Sequence, residues 1–160
     1  MLWLKKHPQI APRIGASLDA TFRELARHHQ IDSLLPIPLH PDREAARGFN
    51  QAAVIAELLS RSSGLPIDMA SLVRISATTR HRAGMDAAER ARSLRRAFHV
   101  RALRRVRGRG ILLVDDLMTT GATAHEVAAV LCEAGAREVC ILTMARVISA
   151  PLWGKRLALA

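Results

Sequence analysis

A chain of 160 residues, 49% apolar and 24% charged, has the make-up of an ordinary soluble globular protein and is long enough to bury a core as one domain without disulfides or metal. Its formal net charge of +10 is carried by one segment: twelve arginines lie between Arg74 and Arg109 against only Asp86 and Glu89, and the rest of the chain is neutral. No apolar run nears the roughly 20 residues of a membrane helix, the first eight residues lack the features of a signal peptide, and two cysteines with no CxxC pair exclude a zinc ribbon or a disulfide framework, so a cytoplasmic protein is expected.

Apolar residues recur at helical spacing from Ile14 to Leu25 (Ile14, Leu18, Phe22, Leu25), which predicts an amphipathic helix. The proline-punctuated run Ser33 to Leu39 reads as a strand with an opened end, and His40 to Gly48 as a polar loop. Helical spacing returns at Val54, Leu58 and Leu59 and stops near Gly64 and Pro66. A short extended segment is expected around Pro66–Val73. Ile75 to Met85 lacks periodicity and reads as a loop. Asp86 and Glu89 have the form of a helix start, with that helix reaching about Arg96. Ala97–Val100 reads as a strand, and Arg101–Gly110 as a charged turn.

The last unit is the clearest. Ile111–Val114 is an apolar strand, Asp115 to Thr123 is polar and small, and Val127, Val130, Leu131 and Ala134 line one face of a helix stopped by Gly135. Glu138–Met144 is a further apolar strand. Strand, loop, helix and strand at these lengths make a βαβ unit, hence a parallel sheet. The fold class is α/β. Cys132 falls in the helix and Cys140 in the strand, and both read as buried structural thiols.

Ligands of open parallel sheets bind beyond the carboxyl ends of the strands, where this reading places Asp115 and Asp116. A turn of small residues before a helix leaves backbone N–H groups free to meet an anion. Thr119, Thr120 and Thr123 add hydroxyl donors, and Gly121 permits close backbone approach. Carboxylates repel phosphate but accept hydrogen bonds from sugar hydroxyls, so a ribose 5-phosphate suits both halves of the motif. The loop has neither the Gly-Lys-Ser/Thr of a P-loop nor a GxGxxG fingerprint.

Ile111-Leu-Leu-Val-Asp-Asp-Leu-Met-Thr-Thr-Gly-Ala-Thr123 resembles the phosphoribosyl-diphosphate (PRPP) signature of type I phosphoribosyltransferases at all thirteen positions. Together with Pro36-Ile-Pro-Leu-His-Pro41, Arg47-Gly-Phe-Asn-Gln51 and the stretch from Glu89-Arg90 to Ala97-Phe98, it resembles the ComF (competence protein F, GntX-like) family from about Ile31 to Arg146. The resemblance implies a type I phosphoribosyltransferase fold: a central, mostly parallel sheet flanked by helices, with a mobile basic loop or hood. Residues 31–148 would form that domain, 1–30 a helical segment belonging to it, and 149–160 a tail.

By the same resemblance, Asp115 and Asp116 hold the ribose hydroxyls at the catalytic centre. Thr119, Thr120, Gly121, Ala122 and Thr123 hold the 5-phosphate. Arg43 and Arg47 grip the pyrophosphate, to which planar guanidinium donors are suited. His40 reads as a solvent-exposed loop histidine, and the competing structural role for Asn50 is a helix cap. Thr79, Arg80 and Arg82 belong to the loop that closes over the substrate. Arg82 and Ser93 depart from the family, which carries Gln and Asn there, and this leaves transfer chemistry open.

Many relatives begin with a four-cysteine zinc module. Its absence here marks a short or incomplete form, and the metal contribution is confined to Mg²⁺ arriving with PRPP. The resemblance implies a transferase of pentosyl groups in nucleotide metabolism, acting on an unidentified nitrogen acceptor and linked to DNA uptake in natural competence. The alternative is a non-catalytic PRPP sensor that binds single-stranded DNA through residues 74–109. PRPP, single-stranded DNA and proteins of the DNA-uptake machinery are the expected partners, and no membrane span is expected.

Overall fold

The computed structural model describes residues 10–75 and 97–147. Three strands form a parallel sheet in the order β1–β4–β5: β1 (Ser33–Pro36), β4 (Gly110–Met118) and β5 (Glu138–Arg146). The backbone at Ile67 bridges the free edge of β1 in parallel. A two-stranded antiparallel ribbon, β2 (Leu72–Arg74) with β3 (Phe98–Val100), flanks residues 76–96. Among the described residues five helices accompany the strands: α1 (Pro12–His28), α2 (Pro41–Arg47), α3 (Gln51–Ser63), α4 (Leu103–Val106) and α5 (Ala122–Glu133). None of the described helices is long and apolar enough to cross a membrane.

β4 is the middle strand, and its first residues are apolar on both faces. Successive side chains of a strand alternate between faces. Ile111 and Leu113 pack with Leu35, Val127 and Leu131 on the side covered by α5 and the β2–β3 ribbon. Leu112 and Val114 pack with Leu18, Phe22, Ile55 and Leu59 on the side covered by α1 and α3. All four β4 side chains are essentially inaccessible to solvent, which is why the segment reads as an unbroken apolar run rather than an alternating one. Fully burying each contributes roughly 1.5–3 kcal/mol.

Several expectations are corrected. His40 to Gly48 is not an open loop: Pro41–Arg47 is helical. Pro41 sits where its missing N–H costs nothing, His40 Nδ1 accepts from the Asp42 N–H at 3.2 Å, and Gly48 takes a left-handed φ of 79° at the exit. His40 is therefore a cap, with only 17% of its side chain exposed. The charged turn after β3 contains the single helical turn α4. Cys132 is exposed, because it lies one residue, and so about 100°, beyond Leu131 on α5; Cys140 is partly buried. In α3 the buried face is Ala52, Ile55, Ala56 and Leu59, whereas Val54 and Leu58 border a groove of about 840 Å³ against α1. The expected helix from Asp86 lies outside the described residues, as does most of the basic loop.

At the sheet's amino-terminal edge a polar clamp sets the register. The Asp32 carboxylate accepts from the Gly110 N–H at 2.8 Å and from Arg137 Nη2 at 2.9 Å, while the Asp32 N–H donates to Gly110 O at 2.7 Å. Arg137 also donates to the carbonyls of Gly108 and Gln30. The Gly110 N–H, and then Arg137, hold the Asp32 carboxyl below its ordinary value despite some opposing desolvation. The approach is so close that a Cβ on Gly110 would lie 1.8 Å from Gln30 O. Gly110→Ala is therefore expected to lower unfolding stability by about 3 kcal/mol, read from urea denaturation. A loss under about 0.5 kcal/mol, the ordinary surface range, would show that the clamp does not hold β4.

Candidate active site

The expected strand 111–114 proves longer. β4 continues through the acidic pair to Met118, with Asp115 opposite Thr143 and Leu117 opposite Ala145 on β5. Sheet hydrogen bonding carries the carboxylates to the strand's end, and the true turn is only Thr119–Gly121. The alternation that sends Leu113 toward α5 sends Asp115 the same way and Asp116 to the opposite face. The Asp115 carboxylate accepts the Asp116 N–H at 2.9 Å. Burial, and then the negative charge of Asp116, raise the Asp115 pKa from 3.8 to about 6.

The turn delivers donors directly into α5. Gly121 has φ of 77° and no side chain to cap the helix, a backbone state that favours glycine. The first backbone bond of the helix runs from the His125 N–H to Gly121 O at 2.9 Å, and Thr120 Oγ1 accepts from the Ala122 N–H at 3.3 Å. The N–H groups of Thr123 and Ala124 have no backbone acceptor outside the helix among the described residues. Thr119 and Thr120 are exposed, and Gly121 and Thr123 are half-buried. A run of backbone N–H and hydroxyl donors thus follows two carboxylates at the end of β4, an arrangement suited to an anion joined to a hydroxylated carbon skeleton.

The neighbouring segment is fastened to the same end of the sheet. The Ile37 N–H donates to Val114 O at 2.9 Å, and Asn50 Nδ2 donates to Ile37 O at 3.0 Å while its Oδ1 caps α3 through the Ala52 N–H. The capping role for Asn50 is therefore real, and the same side chain also pins the loop that leaves β1. Arg43 on α2 is exposed, and Arg47 is half-buried with Nη1 donating to Gln51 Oε1 at 3.2 Å. Neither arginine has a carboxylate partner among the described residues. Gln51 is a residue that sequence reasoning left without a role: it is 5% exposed, it orients Arg47, and its Nε2 has no partner among the described residues. Its four-residue spacing from Arg47 was the available signal. Thr79, Arg80 and Arg82 lie outside the described residues.

Residues 45–155 match the family described as phosphoribosyl transferase domain. The chain belongs to that family. This phosphoribosyl transferase domain is 31% identical over 128 residues to competence protein F of Haemophilus influenzae, covering 78% of this chain and 56% of the relative. It is 35% identical over 118 residues to the DNA utilization protein YhgH of Escherichia coli K12, covering 73% and 50%. Identity to the competence protein ComFC of Bacillus subtilis is 38% over 114 residues, covering 71% and 44%. The domain thus spans about half the length of the curated relatives it matches.

Among solved structures, glutamine PRPP amidotransferase from B. subtilis, complexed with ADP and GMP, superposes with a TM-score of 0.55 at 20% identity over 86% of this chain and 28% of that one. A hypothetical protein from Neisseria gonorrhoeae with bound ppGpp gives 0.54 at 14% identity over 91% and 72%. The fold is that of the type I phosphoribosyltransferases.

The raised Asp115 has a measurable consequence. A carboxyl whose folded pKa lies above its unfolded one binds more protons when folded, so stability is full below about pH 4 and falls as pH rises through about 6. Because the group is partly exposed, the shift corresponds to only about 1–2 kcal/mol. Asp115→Asn, which keeps an oxygen acceptor and removes the charge, should be more stable than the native chain by that amount at neutral pH and equal to it near pH 4. Urea denaturation at the two pH values would show it; a difference independent of pH would refute the electrostatic account.

Proposed function

We propose that this domain binds Mg²⁺–PRPP and transfers its ribosyl 5-phosphate to a nitrogen nucleophile. The observation that carries this reading is the sequence of two carboxylates at the carboxyl end of β4, one short turn ahead of the free N–H groups of α5. The Thr119–Thr123 donors would take the 5-phosphate, with Gly121 allowing the backbone to close on it. Asp115 and Asp116 would accept hydrogen bonds from the ribose hydroxyls; hydroxyl donors at this point would offset the burial, and then the repulsion from Asp116, that raise Asp115. Arg47, aimed by Gln51, and Arg43 on the same helix would meet the diphosphate.

Held at both ends, the sugar presents C1. The C1–O bond breaks with its electron pair leaving on pyrophosphate, and the acceptor nitrogen forms the new C1–N bond and releases its proton. Carboxylates near C1 stabilise the positive charge that develops there. The all-oxygen donor set at the end of β4 fits a hard cation of the magnesium type, which would neutralise charge on the departing pyrophosphate.

Calorimetric titration of Mg²⁺–PRPP into the protein tests the site. One-to-one saturable heat is expected, weakened by about 100-fold or more in Asp115→Ala/Asp116→Ala, which removes the acceptors for two charge-assisted hydrogen bonds. No saturable heat, or equal heat in the double variant, would refute the site. Pyrophosphate release in the presence of nitrogen nucleophiles then separates transfer from simple retention of the ligand.

A second reading, single-stranded DNA binding, has its own observation. Arg101, Arg104, Arg105, Arg107 and Arg109 are all exposed around α4 and the entry to β4; Arg105 approaches Asp68 at 3.8 Å, and the charge of Arg109 reaches Asp32. This basic face lies at the sheet edge opposite the carboxylates, so both partners can be held together. Five aromatic residues and no tyrosine leave little for base stacking, so phosphate contacts must dominate. Affinity for an oligonucleotide, followed by fluorescence anisotropy, should fall with salt at a log–log slope of about −0.7 per neutralised phosphate. It should also be lost in Arg104→Glu/Arg105→Glu/Arg107→Glu. Binding unchanged by either would exclude this face.

A further inference from the structure

The amino-terminal edge of the sheet gathers a set of metal-ligating groups far from the PRPP-type site. Glu138 and Cys140 are two residues apart on β5 and so share one face of the strand, the face on which Cys140 packs against the cluster of Leu18, Phe22 and Leu142. α1 covers that face and ends at His28. His29, the C-cap, donates its backbone N–H to Leu25 O at 3.0 Å, and its ring reaches the start of β5. His29 Nδ1 is hydrogen-bonded to Glu138 Oε1. The ligand atoms of His29, Glu138 and Cys140 all lie within 4.8 Å of one another.

We propose that His29, Glu138 and Cys140 form a binding site for one divalent cation of the zinc type, completed by water in the fourth position. Three protein ligands and one open position are a common tetrahedral set for this ion. A thiolate, an imidazole and a carboxylate suit borderline zinc, whereas magnesium takes oxygen ligands alone. Ligand atoms around a tetrahedral zinc ion sit roughly 3.3–3.8 Å apart, so the three groups need only a small inward rotation. The ion can enter: His29 is 38% and Glu138 34% exposed, and His29 borders an open recess of about 420 Å³. On binding, the Cys140 S–H bond breaks, sulfur bonds the ion and the proton goes to solvent. The bound ion would tie the end of α1 to β5 across 109 residues of sequence.

The site is separate from the carboxylate pair. Glu138 pairs with Gly110 and Thr143 with Asp115, so five residues, about 16 Å of strand, lie between them. The metal-free 160-residue chain would be titrated with Zn²⁺ against a chromophoric chelator, and with Co²⁺ by absorption. One zinc per chain and a thiolate-to-cobalt charge-transfer band are expected, both retained in Cys132→Ser. Cys140→Ser should abolish the band, and Cys140→Ser, His29→Gln and Glu138→Gln should each weaken zinc by more than about 10-fold. His29→Gln changes only a partly exposed helix end, so it tests the site if Cys140→Ser disturbs the core. The proposal is overturned if the native chain takes up no zinc, if cobalt binds without the band, if the band depends on Cys132, or if His29→Gln leaves affinity unchanged.

Discussion

Everything in this domain hangs on the pairing of β4 between β1 and β5. A central strand buried on both faces must be apolar throughout its buried length, yet its carboxyl end must be polar to meet a ligand. β4 makes that change between Val114 and Asp115 without leaving the sheet, since pairing to β5 continues as far as Met118 opposite Arg146. The two carboxylates therefore inherit the rigidity of the core, and groups on a strand are held more tightly than groups on a free loop. The Asp32–Gly110–Arg137 clamp at the other end sets which residues of β4 stand at that carboxyl edge.

Rigidity has an electrostatic cost. Two adjacent carboxylates in partly desolvated surroundings destabilise the free protein, and the raised Asp115 expresses that tension. Residues placed for function commonly lower the stability of the empty fold. The same holds on the other flank, where Gln51 is buried beside the arginine it orients, with an Nε2 that has no partner among the described residues. A buried amide without a partner costs roughly 1–3 kcal/mol. Both features make physical sense when a ligand supplies the missing donors, acceptors or countercharge.

The βαβ unit was legible in the sequence because each of its segments obeys one rule: an apolar run, a small polar turn, a helical apolar stripe, another apolar run. The acidic pair and the threonine turn were legible as chemistry because no packing argument calls for them at a strand end. α2 was missed although its proline start and glycine stop were present, since seven residues with no buried side chain carry no hydrophobic periodicity. The end of β4 was placed too early because polarity was taken as the boundary, whereas backbone pairing continues beneath polar side chains. Cys132 was misplaced by a single step around a helix. The approach of His29 to Glu138 and Cys140 could not be seen at all: no spacing rule reaches across 109 residues, and the parallel sheet alone brings them together.

The two edges of one sheet thus bear different chemistries, and the physics of the connection decides whether they communicate. Coupling between sites needs an element with two arrangements that each ligand favours unequally. β4 and β5 offer no second arrangement, because sliding one residue along the pair would turn the buried Ile111, Leu112, Leu113 and Val114 onto the wrong faces. A cation at the foot of β5 would therefore stiffen the junction of α1 and the sheet and raise stability by mass action. It would leave affinity at the head of β4 nearly unchanged. Any communication with the carboxylate end has to run through parts that can move against the sheet, and among the described elements the candidate is α2 with the loop from β1, tied down at Ile37, whose N–H donates to Val114 O and whose carbonyl accepts from Asn50.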